Sequence, residues 1–293
     1  MSNYDEFMEG ASDVNQDAIE HGGSQYPVIQ WNNGDQKQKK HGGFDYHGGW
    51  FVSEEKVDLS GVDGWEKTEW VHDNGTSTDG FWAPELSLSV IRKRQWWEVT
   101  TGNQRQIFTW NDYDAAKVIG SPRGRTQYVV MVKGMEDRGL FMVTLRGTSA
   151  MAFDSRKGAL SKMASTVVKS ANAFLASKKQ TNKMPFYSFW LRVGYSRDDK
   201  GQPLFTEVGK GKETSMVCLP QALDFPVGDE KVEFLNFYVG KELNGKAGEY
   251  FNDTKEWAES VDAMAAGEKA QAEATHTAAK VDDLADKAAE YGI

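Results

Sequence analysis

The run from Leu86 to Val99, Leu-Ser-Leu-Ser-Val-Ile-Arg-Lys-Arg-Gln-Trp-Trp-Glu-Val, restricts the fold more than any other stretch of the chain. It opens in alternation, with Leu86, Leu88 and Val90 on one face, the pattern of a half-buried strand. Arg92, Lys93 and Arg94 follow, and then Trp96 and Trp97. Successive residues of a strand point to opposite faces, so a regular strand sends the two indoles to opposite sides. Two readings fit. In one, the strand grips a polyanion with flat bases, the cations neutralising phosphates and an indole stacking. In the other it is an edge strand with solvated cations and core tryptophans.

The charge distribution bears on that choice. The net charge is −9, but residues 85–218 hold 22 basic and 11 acidic side chains. Residues 1–25 hold six acidic and no Lys or Arg, residues 26–84 five basic and ten acidic, and residues 219–293 seven basic and 16 acidic. A basic middle between acidic ends points to a polyanionic partner for the middle, unless the charges interleave once folded. The single cysteine, Cys218, permits no intramolecular disulfide, and its apolar setting (Met216-Val217-Cys218-Leu219) suits a buried thiol better than a nucleophile. Reducing cytoplasm is the expected compartment. The N-terminus lacks the pattern of a secretion signal, and no apolar run approaches membrane-spanning length, so no membrane partner is expected.

In chain order, residues 1–25 read as a mobile acidic arm, 26–250 as the folded domain and 251–293 as an acidic helix and tail. Within the domain, residues 26–84 read as a β-rich decoration and 85–218 as a basic core. The decoration holds strand Tyr26–Trp31, a lysine cluster (Lys37, Lys39, Lys40), a loop at 73–80 and His-Gly-Gly triplets at 41 and 47, a third triplet lying at 21 in the arm. With no Cys or carboxylate at ligand spacing, the triplets fit tight turns better than a metal site. The core gives strands over 105–110, 127–133 and 140–146, with a flexible cationic tip at 120–125. A helix over 154–177, capped by Asp154 or Ser155, carries an apolar stripe of Leu160, Met163, Val167, Ala171 and Phe174. Strands over 186–195, with Tyr187 inward and Phe186 outward, and over 203–208 follow, joined by a turn at 198–201; a last strand covers 232–239. From Thr254 the weak seam Trp257, Val261, Met264 predicts a protruding helix or a poor coiled coil rather than part of the core.

These elements predict a mainly β, α+β fold. Their order, a long strand and meander, a helix, then further strands, is that of an OB-like β-barrel with its helix between the third and fourth strands. That fold commonly binds oligonucleotides.

Tyr26-Pro27-Val28-Ile29-Gln30-Trp31, Gly48-Gly49-Trp50-Phe51 and Gly64-Trp65, followed by the basic strand, resemble phage- and mobile-element-encoded single-stranded DNA-binding proteins over roughly 26–150. The acidic C-terminal region is similar to the tails of bacterial and phage single-strand binding proteins, but is helical in pattern and ends Tyr291-Gly292-Ile293. The resemblance implies single-stranded DNA (or RNA) as ligand, a role in replication or recombination, and recruitment of other proteins by the tail; a homo-oligomer paired through Trp257, Val261 and Met264 is the competing use of the C-terminal helix.

No Walker loop, dinucleotide fingerprint, metalloprotease helix or nucleophile elbow occurs, and no cofactor is implied. The expected DNA-binding set is Arg92, Lys93, Arg94, Arg123, Arg125, Arg146 and Arg192 for phosphates, with Trp96, Trp97, Trp190 and Phe186 for bases. The alternatives are a metal-dependent nuclease using Asp45, Glu54, Glu55 and Lys56, or a structural or interaction protein of a phage particle. Binding without catalysis is the leading expectation.

Overall fold

The computed structural model describes residues 25–33, 48–71, 76–102, 104–210, 213–225 and 233–265. The acidic arm up to Ser24, the lysine cluster, the three triplet histidines, Asp45 and the tail from Ala266 onward lie outside the described residues.

The organising strand is β5, Glu85–Thr101; it is preceded by β1 (Val28–Asn32), β2 (Gly49–Ser53), β3 (Glu66–Val71) and β4 (Ser77–Ala83). After it come β6 (Gln104–Thr109), helix α1 (Tyr113–Ile119), β7 (Arg123–Val132), β8 (Phe141–Arg146) and helix α2 (Gly147–Asp154). The helix expected over 154–177 is two elements, because Gly158 N-caps a second helix, α3, running without interruption through Ala159–Met163, Ala164–Val168 and Lys169–Ser177. Its middle segment is π-helical, where Thr166 and Ser165 donate back to the Lys162 carbonyl. The wider turn spaces the buried residues by four, Met163, Val167 and Ala171, and leaves Phe174 exposed, which corrects the expected stripe.

Ten strands form one mixed sheet in the order β12-β9-β5-β7-β8-β1-β2-β4-β3, with β6 also on β5; β9 is Leu191–Gly194 and β12 Gln221–Ala222. The fold is α+β as the sequence predicts, and the meander, helix, strand order is present as β5-β7-β8, α2–α3 and β9. The place beside β8 is taken by β1, in parallel, pairing Val28 with Met142 and Gln30 with Thr144. Residues 26–84 therefore extend the same sheet, and Ile29, Trp50 and Phe81 share a core with Leu88 and Val130.

The expected strand at 203–208 is not in this sheet. After the turn at Asp198, whose carboxylate accepts from the Lys200 and Gln202 amides, the return segment makes one bridge, Arg197 to Pro203. Pro203 has no N–H to extend a ladder, and the chain pairs instead as the hairpin β10 (Thr206–Lys210) and β11 (Glu213–Val217). At 186–195 the first turn is 3-10, Phe186–Ser188, following Pro185, and it swaps the expected faces, Phe186 joining the core of Leu88 and Tyr187 the opposite one. The expected last strand is a 3-10 turn, Phe234–Phe237, whose i,i+3 spacing puts both phenylalanines against the core.

Two helical layers cover the sheet. On one face α2 and α3 pack on Leu88, Tyr128, Val130 and Leu191. On the other lie α4 (Lys241–Asp253) and the helical turns 255–265, α5, over Ile91, Val129, Met131, Trp190, Trp96 and Ile107. Burial on both faces explains the nearly unbroken apolar run Tyr128–Val132 of β7. The expected protruding helix is thus docked at its start: Trp257 and Val261 sit on the sheet. Among the described residues, no helix is long and apolar enough to cross a membrane.

Candidate nucleic-acid interface

A β-bulge decides where the basic run points. Opposite β7, Val90 pairs with Val130 and Arg92 with Val129, so Ile91 is an extra residue. Without it, strict alternation would carry Arg92 and Arg94 onto the face of Leu86, Leu88 and Val90. With it, both arginines and Trp96 lie under α4 and α5, while Lys93, Gln95 and Trp97 lie on the α2 side.

Most of the expected cations then have internal partners. Arg92 donates to the Phe251 carbonyl at 2.7 Å and lies 3.7 Å from that ring's centre. This acceptor belongs to the last turn of α4, where carbonyls lack helical donors. Arg94 donates to Gln127 (2.8 Å), the Trp257 carbonyl (3.2 Å) and Ser260 (2.8 Å), and stacks 4.2 Å from the Trp257 ring centre. Burial pulls its guanidinium down to about 10, so it stays charged at neutral pH. Lys93 pairs with Asp154 at 2.8 Å. Arg125 and Arg105 share the buried carboxylate of Glu98. Arg192, far from this cluster in the sheet, is held by Glu85 and Asp224. Trp190 and Trp96 are core residues, and Phe186 is half-buried against the core.

What remains open lies where the second half of β5 meets β6, the start of β7 and α2. There Trp97, Gly124 and Arg123 converge, since in register Glu98 lies opposite Arg123 and Trp97 opposite Gly124; Arg146 of β8 stands in register with the engaged Arg125. Past the end of β6, Thr109 and Asp112 close a turn through a 2.6 Å side-chain hydrogen bond, and the turn projects Trp110. The Trp97 indole N–H donates to the Trp110 carbonyl at 3.0 Å. The two rings stack nearly parallel, 4.3 Å apart at 9°, with Tyr113 tilted against Trp97 at 4.7 Å. Gly124 makes room for them: a Cβ there would stand 3.3 Å from Trp97 and 3.6 Å from Trp110. Trp110 remains 42 % exposed and Arg123 is exposed at the strand's entry.

Trp110, Tyr113, Gly124 and Asp154 were not in the expected set. The signal for Trp110 was the closeness in sequence of two strand-like runs, which pair with Thr101 opposite Gln104 and Trp97 opposite Phe108, two residues before Trp110. For Asp154 there was none, since its role depends on a helix crossing β5.

The expected nuclease pair is not assembled within the described residues. Glu54 pairs with Lys67 at 2.8 Å in the turn after β2, where Glu55 and Lys56 also lie, and Asp45 is outside them. Among the described residues no group of three or more His, Cys, Asp or Glu could hold a metal ion. Cys218 is fully buried; burial pushes its thiol up, and its carbonyl accepts from Trp31 at 3.1 Å. No known protein family, curated protein or solved structure matches this chain.

Proposed function

We propose that this protein binds single-stranded DNA, without catalysis, on the platform formed by Trp97, Trp110 and Gly124 with Arg123 beside it, and that it serves DNA replication or recombination. The observation that carries this reading is the half-exposed, parallel Trp97–Trp110 stack at a cationic strand end. Indole faces accept any base, and a flanking guanidinium accepts the phosphate that joins it to the next one. Half-exposed coplanar tryptophans cost apolar exposure that a purely structural pair would bury.

Titrating intrinsic tryptophan fluorescence with an unstructured oligonucleotide tests it. Quenching is expected, and Trp110→Ala should weaken binding by about 1–3 kcal/mol with the fold retained. An oligonucleotide that leaves the fluorescence unchanged at low salt would overturn the reading.

A further inference from the structure

Beneath the tryptophan pair, between β5 and α2, lies a cleft of about 290 Å³. It is near the lower limit for small-molecule pockets, about 300 Å³, which suits one flat ring system rather than two. Its lining is of two kinds. Trp97, Ala150 and Met151 are apolar, whereas Gln95, Thr126 and Asp154 form a hydrogen-bonded set. Gln95 spends its amide donors within that set, giving them to Thr126 Oγ1 and Asp154 Oδ2, both at 3.2 Å. Lys93 Nζ also donates to Asp154 Oδ2, at 2.8 Å. These bonds fix the carboxylate and offset its charge while leaving acceptor capacity on Oδ1 and on the Gln95 carbonyl. The cleft therefore offers an aromatic wall beside a carboxylate acceptor, with the hydroxyls of Thr126 and Ser155 in its lining.

Resting on the nucleic-acid reading above, we infer that this cleft takes one unstacked base of the bound strand and selects cytosine or adenine, whose exocyclic amino group stands where thymine and guanine carry a carbonyl, over thymine. The base stacks on Trp97 and its amino group donates to Asp154. A carboxylate accepting from such an amino group is a standard base-edge contact. Thymine presents a carbonyl at the corresponding position, which would set two acceptors against each other. Lys93, on the same carboxylate, lowers the repulsion that Asp154 would exert on nearby phosphates.

The test compares oligo-dC, oligo-dA and oligo-dT of equal length on the full chain by fluorescence anisotropy. The expected result is about tenfold tighter binding of dC and dA than of dT, the value of one hydrogen bond to a charged group. Asp154→Asn should bring the ratio close to one. Because Asp154 also holds Lys93, a second substitution that does not touch that pair is needed. Met151 is 67 % exposed, and Met151→Trp should fill the cleft and abolish the preference while the chain still binds dT. Equal affinity for all three strands in the unaltered chain, or a preference that survives both substitutions, overturns the selective cleft and leaves the platform reading intact. Failure to bind any strand removes both.

Discussion

Trp96 and Trp97 are neighbours with opposite work. Trp96 is buried against Ile107 and Val261, and its indole N–H has no hydrogen-bond partner among the described residues. Trp97 is half-exposed and stacked on Trp110. Trp96→Ala should therefore lower the unfolding free energy by about 3–5 kcal/mol, measured by urea denaturation, with little change in affinity for DNA. Trp96→Phe should cost much less, because it also removes a buried donor that is not satisfied. Gly124→Ala reports on the other side of the strand. Its Cβ would press on Trp97 at 3.3 Å and force the stack to shift. The expected outcome is weaker oligonucleotide binding and an altered near-ultraviolet circular dichroism signal, with stability nearly unchanged.

At the level of the element, β5 was readable as a strand along its whole length, and its alternation was readable as far as Val90. The bulge at Ile91 was not, because Val90-Ile91-Arg92 carries no glycine or other local mark of one. It arises from the pairing with β7, in which one residue must be passed over for Tyr128 and Val130 to face the core while Val129 faces α4. Deleting Ile91 should leave a regular ladder with Arg92 still opposite Val129 and under α4, so the chain should keep cooperative unfolding and lose only the burial of one isoleucine, about 2–5 kcal/mol by urea denaturation. The C-terminal helix was misread for a related reason. Trp257 and Val261 form a thin seam by themselves, and their partners, Trp96, Ile107 and Arg94, come from a strand distant in sequence. A chain ending at Gly240 should expose Ile91, Met131 and Trp190, bind a hydrophobic dye and unfold at lower urea. A chain ending at Ala265 keeps both helices and loses six acidic against three basic residues. It should bind DNA more tightly, most visibly at low salt, since a tethered anion competes at high effective concentration.

Across the whole molecule, charge along the chain proved a poor guide to charge in space. The basic middle suggested a broad cationic surface, yet Arg92, Lys93, Arg94, Arg125 and Arg192 are engaged by carbonyls, carboxylates and rings of the protein itself. The fold class and the meander–helix–strand order were legible because each depends on local periodicity, whereas these pairings depend on which segments meet. Few cations are left for phosphates, so the slope of log affinity against log salt should be shallow, roughly −1 to −3. The sheet's topology carries a further consequence, for time rather than for shape. Val28 and Gln30 of β1 find their parallel partners only in β8, with β2 through β7 lying between them in the chain. Closing so large a loop is entropically expensive, and such sheets fold slowly. During synthesis β1 and β2 emerge early and one edge of β1 waits, unpaired, until β8 arrives. In that interval the edge can add a strand from another copy. Refolding yield should thus fall as protein concentration rises, and a nascent chain stalled before β8 should be the most aggregation-prone species this protein ever forms.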